Sequence, residues 1–148
     1  IELMFLGQYE HTIDEKGRIT IPSRFRELLA QGGYLTVGLD KNLSVIPAPT
    51  FEQLFARITA LSFTDPIARL MRRHFFTPAA FIEFDKAGRI LIPPALRQSA
   101  QLQENVVIAG TGDGFEIWAA ELWNKQEEIL EDPKVLEEGF SKLDLSLR

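Results

Sequence analysis

Apolar and polar positions along the chain fall into short strand-like and helix-like runs, most of them punctuated by glycine or proline. Met4-Phe5-Leu6, before Gly7, reads as a short strand, and residues 9–13 as a second. A turn over residues 14–18 follows, where Gly17 takes positive φ at low cost and the Asp14 carboxylate can accept turn N–H groups. Ile19-Thr20-Ile21 alternates as a half-buried strand does, and Pro22 ends it and suits a helix start. Phe25, Leu28 and Leu29 recur at helical spacing, with Gly32-Gly33 as the stop. Residues 34–39 and 43–46 then read as a hairpin around Asp40-Lys41-Asn42.

Pro47 and Pro49 break the pattern. Phe51, Leu54, Phe55, Ile58 and Leu61 predict an amphipathic helix. Thr64-Asp65-Pro66 starts another over residues 67–75, with Ile67, Leu70, Met71 and His74 on one side. Thr77-Pro78 opens a second series. Residues 80–84 read as a strand. Ile90-Leu91-Ile92 is apolar throughout, which predicts a strand buried on both faces. Pro93-Pro94 starts a helix running to Ala100. Residues 105–109 and 115–118 form a hairpin around Gly110-Thr111-Gly112-Asp113-Gly114, a loop read as one residue longer than its counterpart. Residues 120–131 predict a helix packed through Leu122, Trp123, Ile129 and Leu130. Beyond Asp132-Pro133, residues 135–148 read as a short helix or a loose tail.

The two series are copies. Asp14-Glu15-Lys16-Gly17-Arg18-Ile19-Thr20-Ile21-Pro22 recurs as Asp85-Lys86-Ala87-Gly88-Arg89-Ile90-Leu91-Ile92-Pro93, 71 residues later, with Arg26 and Arg97 following at equal distance. Two copies are too few for a solenoid, which needs about three. A duplicated half-barrel fits better. The organisation expected is a first repeat over residues 4–49, a helical linker over 50–76, a second repeat over 77–120 and an acidic helical segment over 121–148.

Composition narrows the class. The chain has 148 residues, 45% apolar and 25% charged, as in an ordinary globular domain. No apolar run reaches the roughly 18–20 residues that a membrane span needs, and no membrane partner is expected. The absence of cysteine excludes disulfides and thiolate chemistry and fits a cytoplasmic setting. Ile1-Glu2-Leu3 precede Met4 and read as a vector-derived remnant. Of the net charge of −5, residues 121–148 carry −4, leaving a near-neutral body with local basic patches. Patches govern short-range binding, because salt screens beyond about 8 Å.

Most candidate chemistry reads as structural. Gly110, Gly112 and Gly114 precede a strand-like run, where a phosphate loop would need a helix. His11 and His74 lie far apart without cysteines, so no zinc spacing exists, and no metal or cofactor is expected. Asp14 and Asp85 each sit beside basic residues, which favours turn capping over proton transfer and argues against an enzyme. Arg69, Arg72 and Arg73 share a helical face. They read as a solvated face, a partner for the acidic segment, or a secondary nucleic-acid contact, with Arg24 as a further such contact. The repeated turns stand apart. Lys16, Gly17 and Arg18, and Lys86, Gly88 and Arg89, set cations at the root of a strand. Arginine matches phosphate or a guanine edge bidentately. The alternative is that each arginine pairs with its own aspartate.

On these residues the chain resembles the MraZ family, bacterial transcriptional regulators related to the AbrB/SpoVT swapped-hairpin proteins. The resemblance rests on Met4-Phe5 with Gly7, both Asp-x-x-Gly-Arg-Ile-x-Ile-Pro runs, Arg26, Leu96-Arg97 and Phe115-Glu116-Ile117-Trp118. It implies an α+β fold, a double-split β-barrel of two pseudo-twofold-related AbrB-like βαβ units with peripheral helices. It implies double-stranded DNA as partner, bound at tandem promoter repeats of the division and cell-wall operon. It implies a closed, often octameric homo-oligomeric ring, nucleoid-associated and usually repressing. Asp14, Lys16, Gly17 and Arg18, with Asp85, Lys86, Gly88 and Arg89, would form the DNA-contacting surface. In the second copy Lys86 replaces Glu15 and Ala87 replaces Lys16, so the basic side chain shifts by one place. Two rival readings are an antitoxin-like AbrB relative that binds a toxin through its C-terminal segment, and a protein-binding barrel with internally paired basic turns.

Overall fold

The computed structural model describes residues 4–145, so Ile1–Leu3 and the last three residues of the chain lie outside it. Among the described residues the strands are β1 (Gln8–Thr12), β2 (Arg18–Thr20), β3 (Gly33–Val37), β4 (Leu43–Pro47), β5 (Ala80–Phe81), β6 (Arg89–Leu91), β7 (Asn105–Gly110) and β8 (Phe115–Ala119). The helices are α1 (Ser23–Leu28), α2 (Ala48–Thr59), α3 (Pro66–Phe76), α4 (Pro94–Ser99), α5 (Ala120–Leu130) and α6 (Pro133–Lys142). The fold is mixed α+β, and every strand pair is antiparallel.

Six strands form one sheet in the order β1-β7-β8-β4-β3-β5, and β2 pairs with β6 as a separate two-stranded ribbon. Exchanging the two sequence copies turns β1 into β5, β7 into β3 and β8 into β4, so the order reads the same from either end. Each copy therefore completes the other. β1 of the first copy pairs with β7 of the second, and β5 of the second with β3 of the first. The hairpins β3–β4 and β7–β8 pair within a copy, while β1–β7, β3–β5, β4–β8 and β2–β6 pair between copies.

The core sits between ribbon and sheet. Ile19, Ile21, Ile90 and Ile92 from the ribbon region meet Leu35, Leu43, Val45, Ile108 and Ile117 from the sheet, all essentially inaccessible. Phe25 of α1 and Leu96 of α4 hold equivalent places in the two copies. Phe25 also lies within 5.2 Å of Phe5 and 5.0 Å of Phe115, centroid to centroid, forming an aromatic knot. Prolines 22, 47 and 93 stand at the N-caps of α1, α2 and α4, where a fixed φ turns a strand into a helix.

Four expectations need correction. Leu91 is 58% exposed while Ile90 and Ile92 are buried, because a two-stranded ribbon has only one face on the core. Met4–Leu6 makes only an isolated bridge, Phe5 to Gly112. The second hairpin loop is shorter than the first, residues 111–114 against 38–42, because Gly110 joins β7 opposite Phe115. Ile129 and Leu130 of α5 are about half exposed, and the packing falls to Trp123, whose ring lies 5.5 Å from that of Trp118.

The linker helices lean on β3. The ring of Tyr34 stacks on Phe51 at 4.3 Å, and Thr36 Oγ1 donates to the Phe75 carbonyl at 2.7 Å. Ile67 and Leu70 of α3 stay exposed, as do Phe55, Leu61 and Phe63 beside them. α6 buries none of its residues.

Candidate nucleic-acid interface

The two Asp-x-x-x-Arg motifs are built alike. Asp14 Oδ1 accepts the backbone N–H groups of Lys16 at 3.0 Å and Arg18 at 2.9 Å, and Asp85 Oδ1 accepts those of Ala87 and Arg89, both at 2.9 Å. Gly17 and Gly88 close the turns by donating to the Asp14 and Asp85 carbonyls, with φ of +85° and +77°. Such φ values favour glycine. The second carboxylate oxygen takes the arginine: Arg18 Nε donates to Asp14 Oδ2 at 2.7 Å and Arg89 Nε to Asp85 Oδ2 at 2.8 Å.

These bonds set the carboxylate electrostatics. The backbone N–H of Arg18 holds the Asp14 carboxyl below its ordinary value of 3.8; partial desolvation opposes this, and the Arg18 guanidinium adds to it. At Asp85 the Arg89 N–H is again the largest cause of lowering, opposed by desolvation and supported by the Arg89 side chain. Both arginines are thus paired with their own aspartates. The pair occupies Nε. Among the described residues the terminal nitrogens have only one further ionic contact, Arg89 Nη1 to Asp14 Oδ2 at 3.8 Å, which ties the two motifs together.

The ribbon brings both arginines onto one surface. Arg18 lies opposite Leu91, Thr20 opposite Arg89, and Ile19 opposite Ile90 at the centre. Residues directly opposite share a face and alternate along each strand. Ile19 and Ile90 therefore point into the core, and Arg18, Leu91, Thr20 and Arg89 make up the outer face. Arg18 and Arg89 each retain 31% side-chain exposure. Lys16 and Lys86 are exposed in the flanking turns. Thr20 and Leu91 were not expected at this face. The usable signal was the alternation itself, which the apolar Ile90-Leu91-Ile92 run conceals.

The other candidate cations lie elsewhere. Arg24 pairs with Glu27 within α1 at 3.1 Å. Arg69 Nη1 donates to the Phe63 carbonyl and Arg72 Nη2 to the Thr59 carbonyl, so both fasten the α2–α3 junction. Arg73 borders a shallow groove with His74, Leu39 and Lys41. Among the described residues no cluster of three or more His, Asp or Glu could hold a metal, and no helix is long and apolar enough to cross a membrane.

Residues 4–74 and 75–139 each match the sequence profile of the family described as "MraZ protein, putative antitoxin-like". The chain is also similar to proteins named transcriptional regulator MraZ. That of Herpetosiphon aurantiacus is 51% identical over 81% of this chain and 84% of the relative. That of Thermomicrobium roseum is 44% identical over 86% and 89%. That of Dictyoglomus turgidum is 41% identical over 95% and 98%.

Proposed function

The chain belongs to the MraZ family, and on that premise we propose that it is a transcriptional regulator whose β2–β6 ribbon binds double-stranded promoter DNA. One observation carries the reading: Arg18 and Arg89, from different copies, stand on one face of a two-stranded ribbon, and each arginine's own aspartate engages its Nε rather than its terminal nitrogens. A two-stranded ribbon fits the major groove, where arginine reads guanine O6 and N7 and an apolar group such as Leu91 meets a thymine methyl. Lys16 and Lys86 supply phosphate contacts, which position rather than specify. Arg24, Arg69, Arg72 and Arg73 lie away from the ribbon and have at most a secondary role in this reading, as phosphate contacts without base reading. The relatives' name, transcriptional regulator, supports the role.

In this reading the two copies form the halves of a double-split β-barrel about a pseudo-twofold axis, joined by the linker helices. The protein works in the cytoplasm at the nucleoid, on tandem repeats upstream of the division and cell-wall operon, as a repressor. Each repeated turn offers only two cations, so affinity comes from repeating the ribbon around a homo-oligomeric ring. Linked weak modules gain orders of magnitude when their spacing matches the target. The exposed Phe63, Ile67 and Leu70 around α3 are suited to such self-association.

The test is a gel shift on the protein's own upstream region with Arg18→Ala, alongside size-exclusion chromatography with light scattering. The variant should lose operator binding and keep the wild-type mass. Wild-type affinity in Arg18→Ala refutes the reading. A second reading, an antitoxin-like partner role, draws on the exposed stripe Leu136, Phe140 and Leu143 at α6. Co-purification of a small protein that is lost on deleting α6 would favour it.

A further inference from the structure

We propose that Arg26 and Arg97 are positioning residues for the DNA-binding turns, and that each serves the turn of the opposite copy. Arg26 braces residues 85–89, and Arg97 braces residues 14–18. Only the functional consequence rests on the DNA-binding reading; the bracing itself is a matter of packing.

Gly17 and Gly88 are buried although their turns lie at the protein surface. What covers them comes from the other copy. A Cβ built on Gly17 would fall 2.8 Å from Arg97 Cζ and Nη1 and 3.0 Å from its Nε. One built on Gly88 would fall 2.7 Å from Arg26 Cζ and 3.0 Å from its Nε. A guanidinium thus lies against each glycine, in the space a side chain would fill. The backbone crosses over in the same sense. Ile21 N–H donates to the Gly88 carbonyl at 3.0 Å, and Ile92 N–H donates to the Gly17 carbonyl at 2.8 Å.

Arg26 is itself held, since its Nη1 donates to the Ile21 carbonyl at 2.7 Å. Ile21 and Arg26 therefore grip the second turn together, one by backbone and one by side chain. Arg97 Nε is buried without a hydrogen-bond partner, so packing sets its position over Gly17. The arrangement occurs twice with the copies exchanged, which makes it a property of the duplicated sequence. A planar guanidinium suits this task because its flat face can lie on a glycine; an ammonium has no such face. Neither turn is then autonomous, and the arginine it displays is aimed by a helix of the other copy.

Hydrogen–deuterium exchange on the full chain tests this, since the turn amides are protected by Asp14 and Asp85. In Arg26→Gln, exchange at residues 87–89 should rise about five- to tenfold, the loss expected for one good contact, with residues 16–18 at the wild-type rate. Arg97→Gln should give the reverse. If a glutamine variant does not fold, Arg26→Lys and Arg97→Lys, which keep charge without the plane, should show the same crossed pattern. A rise in the turn of the variant's own copy, a uniform rise, or no change overturns the proposal. On promoter DNA, Arg26→Gln should be non-additive with Arg89→Ala and additive with Arg18→Ala. Failure of the wild type to bind that DNA would refute the proposed function, while the exchange pattern would still decide the bracing.

Discussion

A carboxylate beside an arginine ordinarily cancels it, and charge counting alone would treat Asp14 and Asp85 as costs to a DNA binder. The geometry argues otherwise. Each aspartate spends one oxygen on two backbone N–H groups and the other on Nε, which fixes the plane of the guanidinium and leaves its far edge available. Asp85→Asn should therefore weaken promoter binding several-fold despite removing a negative charge, as measured by fluorescence anisotropy. Tighter binding by Asp85→Asn would sink this account. The acid response follows from the same contacts. Both carboxyls are held below 3.8 in the folded protein, so their stabilisation is complete above that ordinary value and is lost as pH falls through the lower folded value. NMR of the Arg18 and Arg89 amides should show the turns opening only below about pH 3.8. Turn opening that begins near neutrality would contradict it.

Among the elements, α1 carries the most weight for its length, because Phe25 joins Phe5, Tyr9 and Phe115 at the centre of the core. Phe25→Ala should cost about 3–5 kcal/mol, the usual range for a buried aromatic, read as a lower urea midpoint with unchanged slope. A cost within experimental error would mean that the core is not organised around this ring. Most elements were legible in the sequence because proline and glycine mark their ends: Pro22 and Pro93 before helices, Gly17 and Gly88 in turns. The motif residues Asp14, Arg18, Asp85 and Arg89 were legible because spacing repeats. Partner choice was not. Nothing local in Gln8–Thr12 says that its ladder belongs to Asn105–Gly110 rather than to its own copy. Leu91 was misread for a related reason, since three apolar residues in a row do not reveal how many faces are covered. Arg26 and Arg97 lie at a visible repeat distance, but their contacts with the opposite glycines exist only after the strands have exchanged.

For the molecule as a whole, the proposed DNA binding is compatible with an acidic net charge through separation, with Arg18 and Arg89 on the ribbon and −4 of the net −5 in residues 121–148. Affinity should fall steeply with salt, with a log–log slope of about −0.9 per phosphate neutralised. A flat titration would rule out a phosphate-led interface. A probe carrying tandem repeats should bind at least about a hundredfold more tightly than one carrying a single repeat, if avidity is the source of strength. Equal affinity would remove the need for assembly.

The palindromic strand order has one more consequence. A homodimer of half-length chains would present two identical ribbon strands and would suit a target with matching dyad symmetry. Here the partners are covalently joined, so each could drift independently. Thr20 now faces Arg89 where Leu91 faces Arg18, and the turn lysine has moved by one place. The outer face of the ribbon has thereby acquired a direction. In the proposed role such a face would tell a site from its inversion, as reading successive head-to-tail copies along a duplex would demand.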